Sequence, residues 1–214
     1  MFLMPFVHIF LVTVPLWVLI VLPLLPLIFG VIVYVKYGFK LFLVKKCNEE
    51  EIWLPVVDDA GNIIGRVAKC VSQEEPGKYQ HPLVRILVWH EGKLYLRPRS
   101  DNVVFEPGMM DHPFEQLIYF GHNIDETLLD IRNRFFPDAE KPRFLLKYKH
   151  ENKEGKWLVL LYLVTVADKE QLKNIQHKDG KLWPLTQINE NSGMLFFSRI
   201  FEGEIDFFRT LLSK

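Results

Sequence analysis

His81–Asp101 reads HPLVRILVWHEGKLYLRPRSD. A long apolar run, Leu83–Trp89, and a shorter one, Lys93–Leu96, flank the polar break His90-Glu91-Gly92, and this is the signature of a β-hairpin. Working outward, Leu54–Lys69 (LPVVDDAGNIIGRVAK) has the same grammar: Asp58, Asp59, Gly61 and Asn62 separate the apolar runs 52–57 and 63–67. Downstream, residues 144–148 and 157–166 flank the charged tip ENKEGK (Glu151–Lys156). They predict a third hairpin whose second strand is apolar enough to be buried on both faces. Between hairpins two and three, Asn123 followed three positions later by Glu126 has the form of a capping box. Leu128, Ile131 and Phe135 then recur at helical spacing, so residues 123–136 are predicted as an amphipathic helix. Shorter helices are expected at 168–175 and 185–189, and Ile200, Ile205, Phe208 and Leu212 mark one face of a C-terminal helix. Strands, a central helix, further strands and a terminal helix make an α+β sandwich.

The N-terminus has a different character. From Met1 to Val35 there is no Asp, Glu, Lys or Arg, and Pro15–Val35 (PLWVLIVLPLLPLIFGVIVYV) meets the roughly 20 residues that span a hydrocarbon core. The stretch is too long for the apolar region of a signal peptide and has no basic residues before it. Lys36, Lys40, Lys45 and Lys46 follow it, and by the positive-inside bias they place what comes next in the cytoplasm. Pro5, Pro15, Pro23 and Pro26 interrupt the run, so one kinked span is expected, with a re-entrant hairpin at LPLLP as the alternative. The expected organisation is a single-pass membrane anchor with a basic edge over residues 1–46 and one soluble domain over 47–214.

Past Lys46, 22 Lys plus Arg stand against 26 Asp plus Glu. This mildly acidic balance argues against a nucleic-acid partner. Cys47 and Cys70 are the only cysteines, too few for a disulfide scaffold or a cysteine-based zinc site, and they fit a reducing compartment.

Three pieces carry a family resemblance: LPVVDDAGNIIGRVAK, then HPLVRILVWHEGKLYLRPRSD, then PGMMD at Pro107–Asp111. Their order resembles the Nudix superfamily, in particular its isopentenyl-diphosphate-isomerase-like branch. There a hairpin of the form V-D-x-x-G-N-x-I-G is followed by a His before a strand and by PGM-x-D ahead of the catalytic box. GKLWPLTQINEN at Gly180–Asn191 is similar to the family's late strand-to-helix element, so the resemblance covers roughly residues 52–208. It implies an α/β/α sandwich with a mixed sheet and, in active members, Mg²⁺ or Mn²⁺ held by helical glutamates to cleave a diphosphate linkage.

The family box is G-x5-E-x7-R-E-U-x-E-E-x-G-U, with U apolar. Counted onward from PGMMD, Gln116 falls at the first glycine and His122 at the first glutamate. Asp130 and Ile131 stand at the Arg-Glu pair, Arg134 and Phe135 at the two metal-binding glutamates, and Pro137 at the last glycine. A cation and a ring cannot coordinate a hard dication. In a slipped register Glu126 and Asp130, at i and i+4, would share a helical face and hold a metal with His122 or Asp125. The bland alternative is that Asp125 and Glu126 complement the helix N-terminus.

The expectation is therefore a membrane-anchored Nudix-like protein whose metal site is lost and which serves as a binding or sensing module, without a bound metal. The alternative is an active hydrolase using Mg²⁺ or Mn²⁺ at a rearranged site, with His122, Glu126 and Asp130 as candidate catalytic residues. A prenyl-diphosphate isomerase, suggested only by the branch, lacks a convincing Cys or Glu. Arg97, Arg99 and His112 are candidate ligand-binding residues, because guanidinium forks at a strand end suit phosphates. His81 is expected to be a hydrogen-bonded structural histidine. The expected partners are the membrane and a phosphorylated small molecule or a protein.

Overall fold

The computed structural model describes residues 6–9, 12–35, 52–103 and 105–212, and the chain forms two compact units, residues 1–50 and 51–214. In the first unit β1 (Phe6–Ile9) pairs antiparallel with β2 (Val12–Pro15), and α1 (Leu16–Val33) follows. Among the described residues no helix is long and apolar enough to cross a membrane. The β-hairpin takes up the first part of the apolar stretch, and α1 lies within the expected span, Pro15–Val35. Residues 24–35 are all exposed. Lys36, Lys40, Lys45, Lys46 and Cys47 lie outside the described residues.

The second unit opens with the first expected hairpin, β3 (Trp53–Val57) against β4 (Ile63–Ala68). Its turn is closed by the Asp58 carboxylate, which accepts from Asn62 N (2.8 Å) and Nδ2 (2.9 Å), while Gly61 takes φ of 95°. A short helix that the sequence did not announce, α2 (Lys69–Glu74), comes next.

The main sheet is built on β5 (Gln80–His90). One edge of β5 runs parallel to β10 (Gly155–Thr165), which also pairs antiparallel with β9 (Arg143–Asn152), completing the third hairpin. The other edge changes partner midway. Leu83–Ile86 pair with β8 (Phe114–Leu117), and Val88–His90 pair with β6 (Lys93–Pro98) through a turn in which both Glu91 (φ 44°) and Gly92 (φ 78°) are left-handed. That is the turn geometry a twisted two-residue hairpin requires. Beyond the split, β6 pairs with β7 (Met110–Asp111) and β11 (Lys181–Pro184). The β5–β10 pair is parallel and the other pairings are antiparallel, so the sheet is mixed, as expected.

Strand alternation sends side chains to two apolar layers. Val84, Ile86, Val88 and Val164 pack with Leu128 and Ile131 of α3 (Ile124–Phe135) and with Leu172 and Ile175 of a 3-10 helix, Lys169–Ile175. Leu87, Leu94, Leu96, Leu161 and Leu163 pack on Ile188 of α4 (Leu185–Asn191) and on Phe201, Ile205 and Phe208 of α5 (Arg199–Leu212). With both faces covered, the unit is a three-layer α/β/α sandwich. The α3 cap is simpler than a capping box. Asn123 accepts from Asp125 N (2.9 Å), and the stabilising partner is the second helical N–H rather than the third.

Candidate functional site

Arg85 stands in the middle of the most apolar strand of the protein, among neighbours facing α5, and its side chain is fully buried. An unpaired charge there would be prohibitive, and the split of the sheet brings three carboxylates to it. Its Nε donates to Glu204 Oε1 on α5 (3.0 Å), one Nη to Asp111 Oδ1 on β7 (2.6 Å), and the other Nη to Glu115 on β8. Arg99 adds a second cation, donating to Asp111 Oδ2 (2.8 Å) and reaching Glu115 at 3.5 Å.

Further donors complete the cluster. Asp111 also accepts from Ser198 Oγ (2.8 Å) and from the His112 backbone N–H (2.7 Å). Glu204 accepts from His112 Nε2 (2.8 Å) and from the Tyr148 hydroxyl. Burial alone would raise both carboxyl pKa values, but the Arg85 guanidinium, His112 and the hydrogen bonds the carboxylates accept together outweigh it and hold Asp111 and Glu204 below the usual carboxylate range. The Tyr148 hydroxyl is pushed far above its ordinary value, by burial first and by Glu204 second. Groups held this firmly in one charge state are poor general acids and bases at neutral pH. Three carboxylates do converge in this protein, and the cation between them is a guanidinium.

The residues expected at a site distribute as follows. Arg97, Arg99 and His112 line one groove of about 980 Å³. Arg99 and His112 are tied into the buried cluster, the latter with its ring edge-on to Phe201 and Phe208. Arg97 is half-buried and forms no ion pair. His122, Glu126 and Asp130 are not brought together. His122 lines an apolar cavity of about 480 Å³, Asp130 lines a different groove of about 390 Å³, and Glu126 is exposed in neither. Among the described residues no three His, Cys, Asp or Glu side chains gather as a metal would need.

His81 is a structural group. Its Nδ1 donates to the Pro55 carbonyl (2.8 Å), its Nε2 lies 2.6 Å from Ser72 Oγ, and burial lowers its pKa. It pins β5 to β3. Sequence reasoning passed over Arg85, Glu115, Tyr148, Ser198 and Glu204. Two signals were present: a charge inside LVRILVW, and a Glu204 whose helical neighbours at three and four positions, Ile200, Phe201 and Phe208, are all apolar.

No protein-family model matches this chain, and no curated protein does. Among solved structures, DR0079 from Deinococcus radiodurans aligns with a TM-score of 0.54 at 11% identity, covering 72% of this chain and 97% of that one. The DNA mismatch repair protein MutT, of the Nudix hydrolase family, from methicillin-resistant Staphylococcus aureus 252 aligns at 0.48 with 17% identity, over 64% and 98%. The Nudix domain of Shewanella oneidensis NrtR, solved with ADP ribose, aligns at 0.46 with 15% identity, over 63% and 90%; NrtR has also been solved with a 27mer DNA. At 11% identity the likeness to DR0079 shows the fold alone, a mixed α+β sandwich.

Proposed function

We propose that this chain is a Nudix-fold binding module held at a membrane, without the metal-dependent cleavage of diphosphate linkages. The observation that carries the reading is the buried cluster: Asp111, Glu115 and Glu204 are all bonded to Arg85. Carboxylates neutralised by a guanidinium offer no coordination sphere to a hard dication. The acidic residues of α3 support the same reading from outside, since Asp125 and Glu126 sit in its first turn and complement the helix N-terminus.

Membrane attachment rests on the charge-free first 35 residues and on the exposed apolar surface of residues 24–35, too extensive to be left facing water. The lysines that follow favour a cytoplasmic domain. Protease protection in sealed vesicles tests that orientation.

Catalysis is tested by incubating the purified protein with Mg²⁺ or Mn²⁺ and a panel of nucleoside diphosphate derivatives. The expected result is no release of product above the buffer control. Turnover that disappears in Glu126→Gln or Asp130→Asn would establish the competing reading, a hydrolase with a rearranged metal site.

A further inference from the structure

The sheet face that carries α3 is not covered along its whole length. Strand pairing sets Pro82, Val84 and Ile86 of β5 beside Leu158, Leu160 and Tyr162 of β10 on that face. Val84 and Ile86 pack in the layer of α3. Pro82, Leu158 and Leu160 instead line the cavity of about 480 Å³, with Ile124 at the start of α3 and Pro55 and Val57 of β3 completing its walls. Pro55, Val57, Pro82, Ile118 and Leu158 are buried and form an apolar floor. The rim is apolar as well but open to water: Ile63 is 61% exposed, Phe144 50% and Phe120 38%.

No Asp or Glu lines this cavity, and its basic side chains are His122 and Lys147. Lys147 of β9 interrupts the apolar face, since it stands directly across the strand pair from Leu160. Its ammonium is exposed and donates to the Ala60 carbonyl at 2.6 Å. A Cβ built on Gly61 would lie 4.0 Å from that nitrogen and 3.4 Å from Leu158 Cδ2, so the charge sits at the lip, where the hairpin turn meets the floor. The carboxylates of the turn are committed elsewhere: Asp58 accepts from Asn62, and Asp59 is paired with Lys149 at 2.9 Å. Among the described residues Lys147 has no carboxylate partner, and two of its three donors remain for a ligand.

We propose that this cavity binds a fatty acid, with the hydrocarbon chain on the floor formed by Pro82 and Leu158 and the carboxylate at the mouth against Lys147. An apolar interior of this size selects hydrocarbon, because burying it removes apolar surface of both partners from water. The single ammonium at a wet lip suits a monoanionic head group that keeps most of its hydration. Affinity therefore comes from the chain, and the exposed charge adds a smaller preference for an acid over an uncharged analogue. The cavity shares no residue with the groove of Arg97, Arg99 and His112. Metal-dependent turnover, which would overturn the non-hydrolytic reading, leaves this inference standing.

The test is photolabelling of the full chain in phosphatidylcholine nanodiscs with dodecanoic acid carrying a diazirine on its chain, the labelled residues being mapped by mass spectrometry. Labels are expected on the cavity walls, in residues 55–63, 118–124 and 144–160, and excess dodecanoate should suppress them. Lys147→Gln should lower labelling by the acid about two- to fivefold, the range of an exposed ion pair. It should leave labelling by the methyl ester of the same probe unchanged, and Lys147→Arg should restore the acid. Ile63→Asp, at the apolar rim, should lower labelling by both probes. Ile63 and Lys147 are exposed, so these variants are expected to melt with the parent protein, and circular dichroism checks that. Labels scattered over the surface, labels insensitive to dodecanoate, or an acid indifferent to Lys147→Gln overturn the proposal. So does equal labelling of the same walls by a photoreactive phosphatidylcholine in the disc, which would make the occupant a membrane lipid.

Discussion

At the scale of single residues, the protein turns on Arg85. Its guanidinium donates to three carboxylates, two from the neighbouring β7 and β8 and one from the distant α5, so it fixes all three elements against β5 at once. Arg85→Met removes the cation and leaves Asp111 and Glu204 buried without compensation; urea denaturation should show a loss of about 3–5 kcal/mol. Tyr148→Phe leaves a lone pair of the fully buried Glu204 unsatisfied and should cost about 1–3 kcal/mol in the same assay. The cluster also sets an acid limit. In the fold Asp111 and Glu204 titrate below their unfolded values, because Arg85, with His112 and the hydrogen bonds they accept, outweighs burial. The unfolded chain therefore binds protons first as pH falls. Their contribution is complete above the ordinary carboxylate range, near pH 4 to 5, and is lost as pH drops through and below about 4. Denaturation midpoints measured from pH 7 to pH 3 should fall steeply at the acid end. In Arg85→Met the slope should reverse, since carboxyls buried without a cation prefer to be protonated. A parent protein equally stable at pH 3 and pH 7 would contradict the assignment.

At the scale of elements, what was legible in the sequence was local. The three hairpins follow from polar breaks between apolar runs, and α3 follows from Asn123 and the spacing of Leu128, Ile131 and Phe135. Substituting Asn123→Ala should destabilise the protein by about 1 kcal/mol through loss of the bond to Asp125 N. Leu161→Ala, at a fully buried position of β10, should cost about 2–5 kcal/mol. Both are read from thermal or chemical unfolding. The split of the β5 edge between β8 and β6 was not legible, because pairing partners 30 residues apart leave no trace in local periodicity. The site was legible for the same reason only in part. Arg97, Arg99 and His112 were placed in one groove by their position at strand ends, but that Arg99 and His112 serve the buried cluster while Arg97 faces open space depends on Asp111 and Glu204 meeting across the sheet. The β1–β2 hairpin ahead of α1 was not legible, because hydropathy does not separate a strand hairpin from a helix when both are apolar throughout.

For the whole molecule, two features set the functional reading: a charge-free apolar stretch over residues 1–35 and a sandwich whose converging carboxylates are already neutralised. If the first holds the chain at a bilayer, the protein stays in the pellet when membranes are washed with alkaline carbonate, and release into the supernatant would count against attachment. The second is the central claim, and titration of the purified protein with Mn²⁺, followed by the loss of the free-ion electron paramagnetic resonance signal, tests it most directly. The account predicts that the signal tracks added Mn²⁺ with no saturable depletion, in the parent protein and in Glu126→Gln alike. Stoichiometric depletion in the parent protein that vanishes in Glu126→Gln or Asp130→Asn would show that a metal is held after all.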